Sequence, residues 1–260
     1  MHINKANLSN LMGLWRKYGS RPNNEGALPL RHANIHWPHR YWFDENTDDI
    51  ACSLEDHSFD PSWLNDVPDS AVIPLWFVVS DNKNVDAAPF LQQHIEKQLL
   101  DNNWRCVFEQ TAMYKELPEE VLCVPPTRAR FQVIQARSSE DIKKWVDIAS
   151  DAFDYDIDHR VIENLFSDKD IQILVGWQDE QAVASALLYK TGDIVGIHQV
   201  GVKKAFQGQG IARYFMQNII AAGALWQAKH IVLQASQAGQ PLYESLGFRS
   251  QFTIKNHQKI

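Results

Sequence analysis

The chain has 260 residues, 45% of them hydrophobic and 22% charged, with a formal net charge of −7. That length exceeds what one core commonly organises, so one large or two modest domains are expected. The charge is uneven: residues 1–125 carry 10 Lys and Arg against 18 Asp and Glu, and residues 126–260 carry 15 against 14, so neither half is the basic surface that nucleic acid requires.

The N-terminal stretch "MHINKANLSNLMGLWRKYG" has no apolar core followed by a small-residue cleavage site, and the longest apolar run, "AVIPLWFVV", is too short to span a bilayer. Cys52, Cys106 and Cys123 are odd in number and form no C-x-x-C pair, which suits a reducing compartment. A soluble cytoplasmic protein is the expectation. "RHANIHWPHR" brings His32, His36 and His39 close in sequence, but Pro38 disrupts the helix that would align them and no Cys or acid joins them, so no metal is expected. Trp37, Tyr41, Trp42 and Phe43 point to a packed strand instead. Further on, "AVIPLWFVV", "SDNKNVDA", "APFLQQHIEKQLL", "WRCVFEQ" and "TAMYKELP" predict strand, turn, helix, strand and helical turn.

Pro118, Pro125 and Pro126 then interrupt the pattern and place a domain boundary, giving an N-terminal α/β domain over 1–125 and a second domain over 126–260. The second domain alternates. Strand "RFQVIQA", helix "SEDIKKWVDIASDAF", helix "HRVIENLF", strands "IQILVGW", "QAVASALLY" and "DIVGIHQVGV", a helix from Gly210, strand "HIVLQAS", helix "GQPLYESLG" and strand "FRSQFTIKN" make a mixed α/β layout. In the helix after Gly210, Ile211, Phe215, Ile219, Ala222 and Trp226 recur at helical spacing, so one face must pack on a sheet. "AFDYDIDHR" has the first three acidic spacings of a calcium loop in Asp154, Asp156 and Asp158. His159 and Leu165 stand where that loop needs Gly and Glu, so it cannot close on calcium. The acids read equally as a solvated loop, with Asp158 capping the next helix, or as an attractor for a cationic amine.

"KKAFQGQGIARYF" places Gly208 and Gly210 between a strand and a helix. A dinucleotide-binding turn would need a third glycine where Arg213 stands, and a downstream acid that is absent; a P-loop would need Gly-Lys-Ser/Thr. What remains is the shared physics: free N–H groups at a helix start, the helix dipole, and glycines that let an anion approach. Gln207-Gly208-Gln209-Gly210-Ile211-Ala212 resembles the Arg/Gln-x-x-Gly-x-Gly/Ala signature of the GNAT superfamily of N-acetyltransferases. "SQAGQPLYESLGF" is similar to that family's second motif, with Leu242, Tyr243, Gly247 and Phe248 in register, although Ser236 and Gly239 replace the usual Asn and Ala.

The resemblance covers the second half of the chain and implies a GNAT-like α+β fold: a mixed, mostly antiparallel sheet flanked by helices. It implies acetyl-coenzyme A as co-substrate, with the pyrophosphate on the backbone of Gln207, Gly208, Gln209, Gly210, Ile211 and Ala212. The pantetheine arm would run along Val200, Gly201 and Val202, and Ser236, at the family's Asn position, would join the cofactor site. Tyr243 matches the family's general-acid tyrosine, and His198 stands where some members carry a catalytic base. The acceptor would be a primary amine, small or peptidic, attacking directly in a ternary complex; no metal, nucleic acid or membrane is called for, and a homodimer stays open. A non-catalytic acyl-coenzyme A sensor is the alternative.

The chain ends soon after Phe248, so the family's usual last strand is expected to be missing and the first half to complete or cover the sheet. The first half also echoes the second, with Tyr114 and Leu117 parallel to Tyr243 and Leu246. That predicts a degenerate GNAT copy whose turn, with Asp81 and Asp86 and no glycine, would repel a diphosphate.

Overall fold

The computed structural model describes residues 3–23, 31–43, 61–76, 87–118 and 130–260. Its first half contains helix α1 (Ile3–Lys17), strands β1 (Arg21–Asn23), β2 (Arg31–Ala33) and β3 (Tyr41–Phe43), a 3-10 turn (Pro61–Asp66), strand β4 (Ile73–Trp76), helix α2 (Ala87–Asp101) and the long strand β5 (Trp104–Glu116). The second half contains β6 (Phe131–Gln135), α3 (Ser139–Phe153), α4 (His159–Asn164), β7 (Ile171–Gln178), β8 (Gln181–Thr191) and β9 (Ile194–Val202). A 3-10 turn (Lys204–Phe206), α5 (Ile211–Leu225), β10 (His230–Ser236), α6 (Gln240–Ser245) and β11 (Arg249–Lys259) complete it.

Each predicted element of the second half is present, and the local reasons are visible. Ser138 caps α3 by accepting from the Asp141 amide at 3.2 Å, while the Asp141 carboxylate accepts from the Arg137 amide at 2.9 Å. Behind that cap, Ile142, Trp145, Ile148 and Ala149 fall on one face and are buried. In α5, Ile211, Phe215 and Ile219 are buried as their spacing predicts, whereas Ala222 and Trp226 are only partly covered.

A single eight-stranded sheet, ordered β4-β11-β5-β10-β9-β8-β7-β6, carries strands from both halves. Every pairing in it is antiparallel except β9 with β10. One face packs under α1, α3 and α4 around Trp15, Trp42, Trp145, Ile148 and Leu187; the other packs under α5 and α6 around Phe215, Ile219, Ile231 and Leu233. Under α2, Ile95 and Leu99 meet Ile73, Leu75 and Trp104. Strands β1 to β3 form a separate antiparallel sheet, and no described helix is long and apolar enough to cross a membrane.

This topology changes the meaning of the boundary near residue 125. β5 runs between β10 and β11, pairing Trp104 to Tyr114 with β11 and Gln110 to Glu116 with β10, so the first half supplies an interior strand of the shared sheet. The segment "TAMYKE", expected as a helical turn, is the second half of β5, because backbone pairing with β10 on one side and β11 on the other overrides its local propensity. The parallel between Tyr114 and Tyr243 therefore does not hold, since one is on a strand and the other on a helix. The acidic turn with Asp81 and Asp86 lies outside the described residues.

Because β11 reaches the rest of the sheet only through β5, residues 126–260 expressed alone are expected to lose β11 and expose both partners' edges. Size-exclusion chromatography of that fragment should show aggregate, and co-expression with residues 1–125 should restore a soluble species. A monomeric, cooperatively melting fragment would contradict this.

Candidate functional site

Strands β9 and β10 stay in register only from Ile194/His230 to Ile197/Leu233. Beyond that they separate, since β9 keeps to β8 as far as Val202 while β10 keeps to β5 as far as Ser236. The cause is a β-bulge. Between β8 and β9 the partners step from Leu187/His198 to Ser185/Gly201, so β9 carries one extra residue, and Gln199 there adopts a left-handed φ of 52°. Ser185 fixes the bulge by donating its hydroxyl to the Gln199 carbonyl at 3.2 Å. The β10-facing edge of Val200, Gly201 and Val202 is thereby left without a strand partner, which is the geometry an extended ligand can pair with. Gly201 also has a packing reason of its own, because a Cβ there would lie 2.8 Å from the Ala152 Cβ of α3.

The chain then enters the glycine turn. Lys204 pins its start to α3, donating its amide to Asp151 at 2.7 Å and its ammonium to Asp154, and Gln207 donates to the Val202 carbonyl at 3.0 Å. Gly208 and Gly210 have φ of 75° and 74°, a region L-residues rarely adopt, and nothing lies within 4 Å of where a Cβ would point at either. Gly210 is the N-cap of α5 and supplies no side chain to the first amides, so the N–H groups around Gln209, Ile211 and Ala212 start a 15-residue helix with no side-chain cap. Gln207, Gly208, Gln209 and Gly210 are exposed, whereas Ile211 turns into the core. The turn therefore fits a diphosphate: open space, positive φ that points amides outward, and the positive end of a helix.

On the other arm of the wedge, Ser236 closes β10 and accepts the Gly239 amide at 3.2 Å, which shapes the turn into α6. The Tyr243 ring lies against Gly239, where a Cβ would come within 3.1 Å of a ring carbon, and meets Phe248 edge-on at 5.8 Å. Burial pushes the Tyr243 hydroxyl up to about 12. No described residue hydrogen-bonds to that hydroxyl, so it is a protonated donor without a fixed partner. A surface cavity of about 320 Å³ lined by Tyr114, Lys115, Leu117 and Arg249 lies at the opposite end of β10, away from the wedge.

His198 does not fit the base expected of it. It is 7% exposed and its Nε2 lies 3.0 Å from the Asn10 Oδ1 of α1; burial drives its pKa down to about 3, partly offset by a hydrogen bond with Gln234. The sequence of the second half could not show this, because the cover comes from α1. Asn4, Asn7 and Asn10 recur every three residues along that helix. Asn10 donates to the Tyr189 carbonyl and the Thr191 hydroxyl at 2.9 Å each, Asn7 donates to the Met113 carbonyl at 3.2 Å and accepts from Gln234 at 2.6 Å, and Asn4 accepts from Gln251 at 2.8 Å. Gly196 makes room for this, since a Cβ there would fall 1.8 Å from the Asn10 oxygen. Leu8, Leu11, Met12, Leu14 and Trp15 are all buried beneath α1, at roughly 1.5–3 kcal/mol each as an upper estimate, so the helix stays docked over His198.

The acidic loop is mostly committed to structure. Asp158 caps α4 through the Arg160 amide at 2.9 Å and pairs with its guanidinium, and Asp154 holds Lys204. Tyr155 between them was hidden by its acidic neighbours: it stacks on Phe153 and donates its hydroxyl to Gln199 Oε1 at 3.2 Å, directly on the bulge. His32 is buried against Trp42, whereas His36 and His39 are exposed. Among the described residues no group of three His, Cys, Asp or Glu side chains is placed to hold a metal.

The neutral, covered state of His198 has a measurable consequence. In the unfolded chain a histidine takes a proton near ~6.5, but in the folded protein only near about 3. Between those values the unfolded state binds more protons, so the stability is fully present above ~6.5 and falls with pH below it, by up to about 1.4 kcal/mol per unit from this group. His198→Gln should melt with a shallower loss of Tm between pH 6.5 and 4, with His257, also lowered by burial, accounting for part of the remaining slope. The acidic limb of any kcat/KM profile should be unchanged by the substitution; its disappearance would restore His198 as a base.

Residues 133–258 match the model of the family described as "Acetyltransferase (GNAT) domain". No curated protein matches the chain. Among solved structures, a GCN5-related N-acetyltransferase from Kribbella flavida is similar at 18% identity and a TM-score of 0.62, over 98% of this chain and 94% of that one. A second, from Sphaerobacter thermophilus, is similar at 14% and 0.61, over 88% and 76%. A Staphylococcus epidermidis protein described as functionally unknown reaches 16% and 0.56, over 92% and 94%. At these identities the likeness is one of fold, and it extends through the first half as well as the second. The wedge, the glycine turn and α6 all fall inside the matched segment, and residues 133–258 accordingly belong to the GNAT acetyltransferase family.

Proposed function

We propose that the protein is an acetyl-coenzyme A-dependent N-acetyltransferase that acts on a primary amine by direct attack in a ternary complex, in the cytoplasm. The observation that carries this is the pair Gly208 and Gly210, both in left-handed geometry with open space beyond them, at an uncapped helix start that leads directly out of a parted strand. A diphosphate would be held by the backbone amides from Gln207 to Ala212, where charge-assisted N–H···O⁻ bonds are about twice as strong as neutral ones. The unpaired edge of Val200 to Val202 would take the pantetheine amides as an added strand. Acetyl-coenzyme A supplies the thioester whose carbonyl the amine attacks.

The parted strands make a slot through the sheet, with the glycine turn and Tyr243 packed on the α5 and α6 side and Tyr155, Phe153 and Gln199 on the α1 and α3 side. An amine arriving on the second side meets a donor threaded from the first. The N–C bond forms as the C–S bond breaks, and the amine releases its proton to solvent, His198 being covered. Tyr243 serves the departing sulfur. With a hydroxyl near 12 against ~8.5 for a thiol, it donates a hydrogen bond to the developing thiolate, and full transfer of its proton would be uphill.

Gly210→Val would be strained at φ 74° and would place a branched side chain where the diphosphate approaches. Calorimetry should show acetyl-coenzyme A affinity reduced by roughly 10²-fold or more in a variant that still folds by circular dichroism, from one site per chain in the wild type. Undiminished affinity would put the phosphates elsewhere. Tyr243→Phe removes only the hydroxyl, and kcat for thiol release should fall by ~10²-fold with acetyl-coenzyme A affinity unchanged. Equal turnover would remove Tyr243 from the reaction.

A further inference from the structure

Arg40 stands at the entry to β3, with its backbone fixed next to β4: its carbonyl accepts from Asn34 at 2.8 Å, and the flanking Tyr41 and His39 pair with Val72. Its guanidinium crosses to the main sheet. There it lies 5.5 Å from the centre of the Phe108 ring and 5.8 Å from that of Trp15, and donates from Nη1 to Asn256 Oδ1 at 2.6 Å. Two aromatic rings and one amide thus fix its position.

Among the described residues that amide is the one hydrogen-bond partner, an incomplete set for five N–H donors. Among the described residues no carboxylate forms an ion pair with Arg40, whose side chain is half-buried. The surroundings are nonetheless poorly hydrated, since burial pulls the guanidinium down to about 10. A cation held in such a place without a counter-charge among the described residues costs folding free energy that an incoming anion would offset.

The position of Arg40 relative to the wedge gives that anion a role. Toward β10, Asn256 contacts Gln110 at 3.4 Å and Gln110 reaches the Gln234 carbonyl at 3.5 Å, while register puts Phe108, Gln110 and Asn256 on the same sheet face as Gln234 and Ser236. Toward β9, Arg40 is within electrostatic reach of the Tyr155 hydroxyl, which is bonded to Gln199 on the bulge. Phe108, Phe153 and Tyr155 are 41%, 36% and 44% exposed around it. The guanidinium thus lies over β5 and β11, beside the strand that borders the β10 arm, and within electrostatic reach of Tyr155 at the β9 arm.

We propose that Arg40 binds a carboxylate carried by the acceptor, so that the protein acetylates amines of the amino-acid type, with the carboxylate on the guanidinium fork and the amine directed toward the wedge. This rests on the transfer reaction proposed above. A planar guanidinium clamped between rings suits a carboxylate, which it can meet with two parallel N–H···O bonds, and it leaves a neutral or cationic group at the same place without compensation. The acetylated product keeps its carboxylate and loses its positive charge.

The test compares amino acids with their primary amides and their decarboxylated amines as acceptors for the full-length protein, by thiol release. The best amino acid should exceed its amide and its amine in kcat/KM by on the order of 10²-fold. Arg40→Met should collapse that preference through KM, with kcat and acetyl-coenzyme A affinity little changed; Arg40→Lys, which keeps the charge without the fork, should recover part of it. Equal use of acid, amide and amine by the wild type would overturn the proposal even if Arg40→Met failed to fold, as would a preference that survives Arg40→Met. Should no acceptor release thiol, the transfer reading fails separately, and calorimetric titration of the same amino acids into protein loaded with coenzyme A decides: heat that is present for acids, absent for amides and lost in Arg40→Met supports the assignment, and its absence overturns it.

Discussion

The extra residue at Gln199 is the constraint on which the rest of this site depends. A single left-handed residue in β9, held by Ser185, rotates the strand away from β10 after only a short stretch of parallel pairing. Two strands parted in the middle of a sheet would ordinarily close again, because unpaired backbone groups next to a core are costly. Here they are kept apart from both sides: β8 holds β9 along its outer edge, and β5 holds β10 from Gln110 to Glu116. The slot is therefore built into the fold rather than opened by a ligand, and the glycine turn and Tyr243 are placed by the two strand ends that border it.

The first half of the chain does more than extend the sheet. β5 is the strand that holds the β10 side of the wedge, α1 covers the sheet face over His198, and its Asn4, Asn7 and Asn10 satisfy polar groups on β5, β8 and β9 and side chains of β10 and β11. A buried amide network of this kind stabilises only when nearly every member is paired. Its chief effect on chemistry is to hold His198 neutral and covered. The two halves are thus one structural unit around one site, which agrees with a likeness to solved acetyltransferases that spans nearly the whole chain.

Legibility in the sequence followed the range of the forces involved. The helix over Ser139–Phe153 and the turn at Gly208 and Gly210 are set by neighbours in sequence, through a cap, a 3.6-residue period and the backbone freedom of glycine, and they are where the residues predict them. That the first half would complete or cover the sheet was also expected, and β4 and β5 do join it. That β5 would lie inside the sheet was not legible, because Tyr114 and Leu117 stand at helical spacing and Thr111 to Glu116 becomes a strand only by lying between β10 and β11. His198 was misread for the same reason: a histidine on a strand beside the site is indistinguishable from a base until the helix covering it is known. Arg40 and Tyr155 belong to no motif, and only tertiary placement connects them to Gln199.

Amide hydrogen exchange on the full-length protein, with and without acetyl-coenzyme A, tests the central claim most directly, because it reads backbone protection along the whole chain at once. The account predicts slowed exchange concentrated in the segment 200–212, where the unpaired edge of β9 and the first amides of α5 would gain partners, with little change in β6 and β7. Protection confined to 114–118 and 247–249, around the cavity at the far end of β10, with 200–212 unaffected, would contradict it.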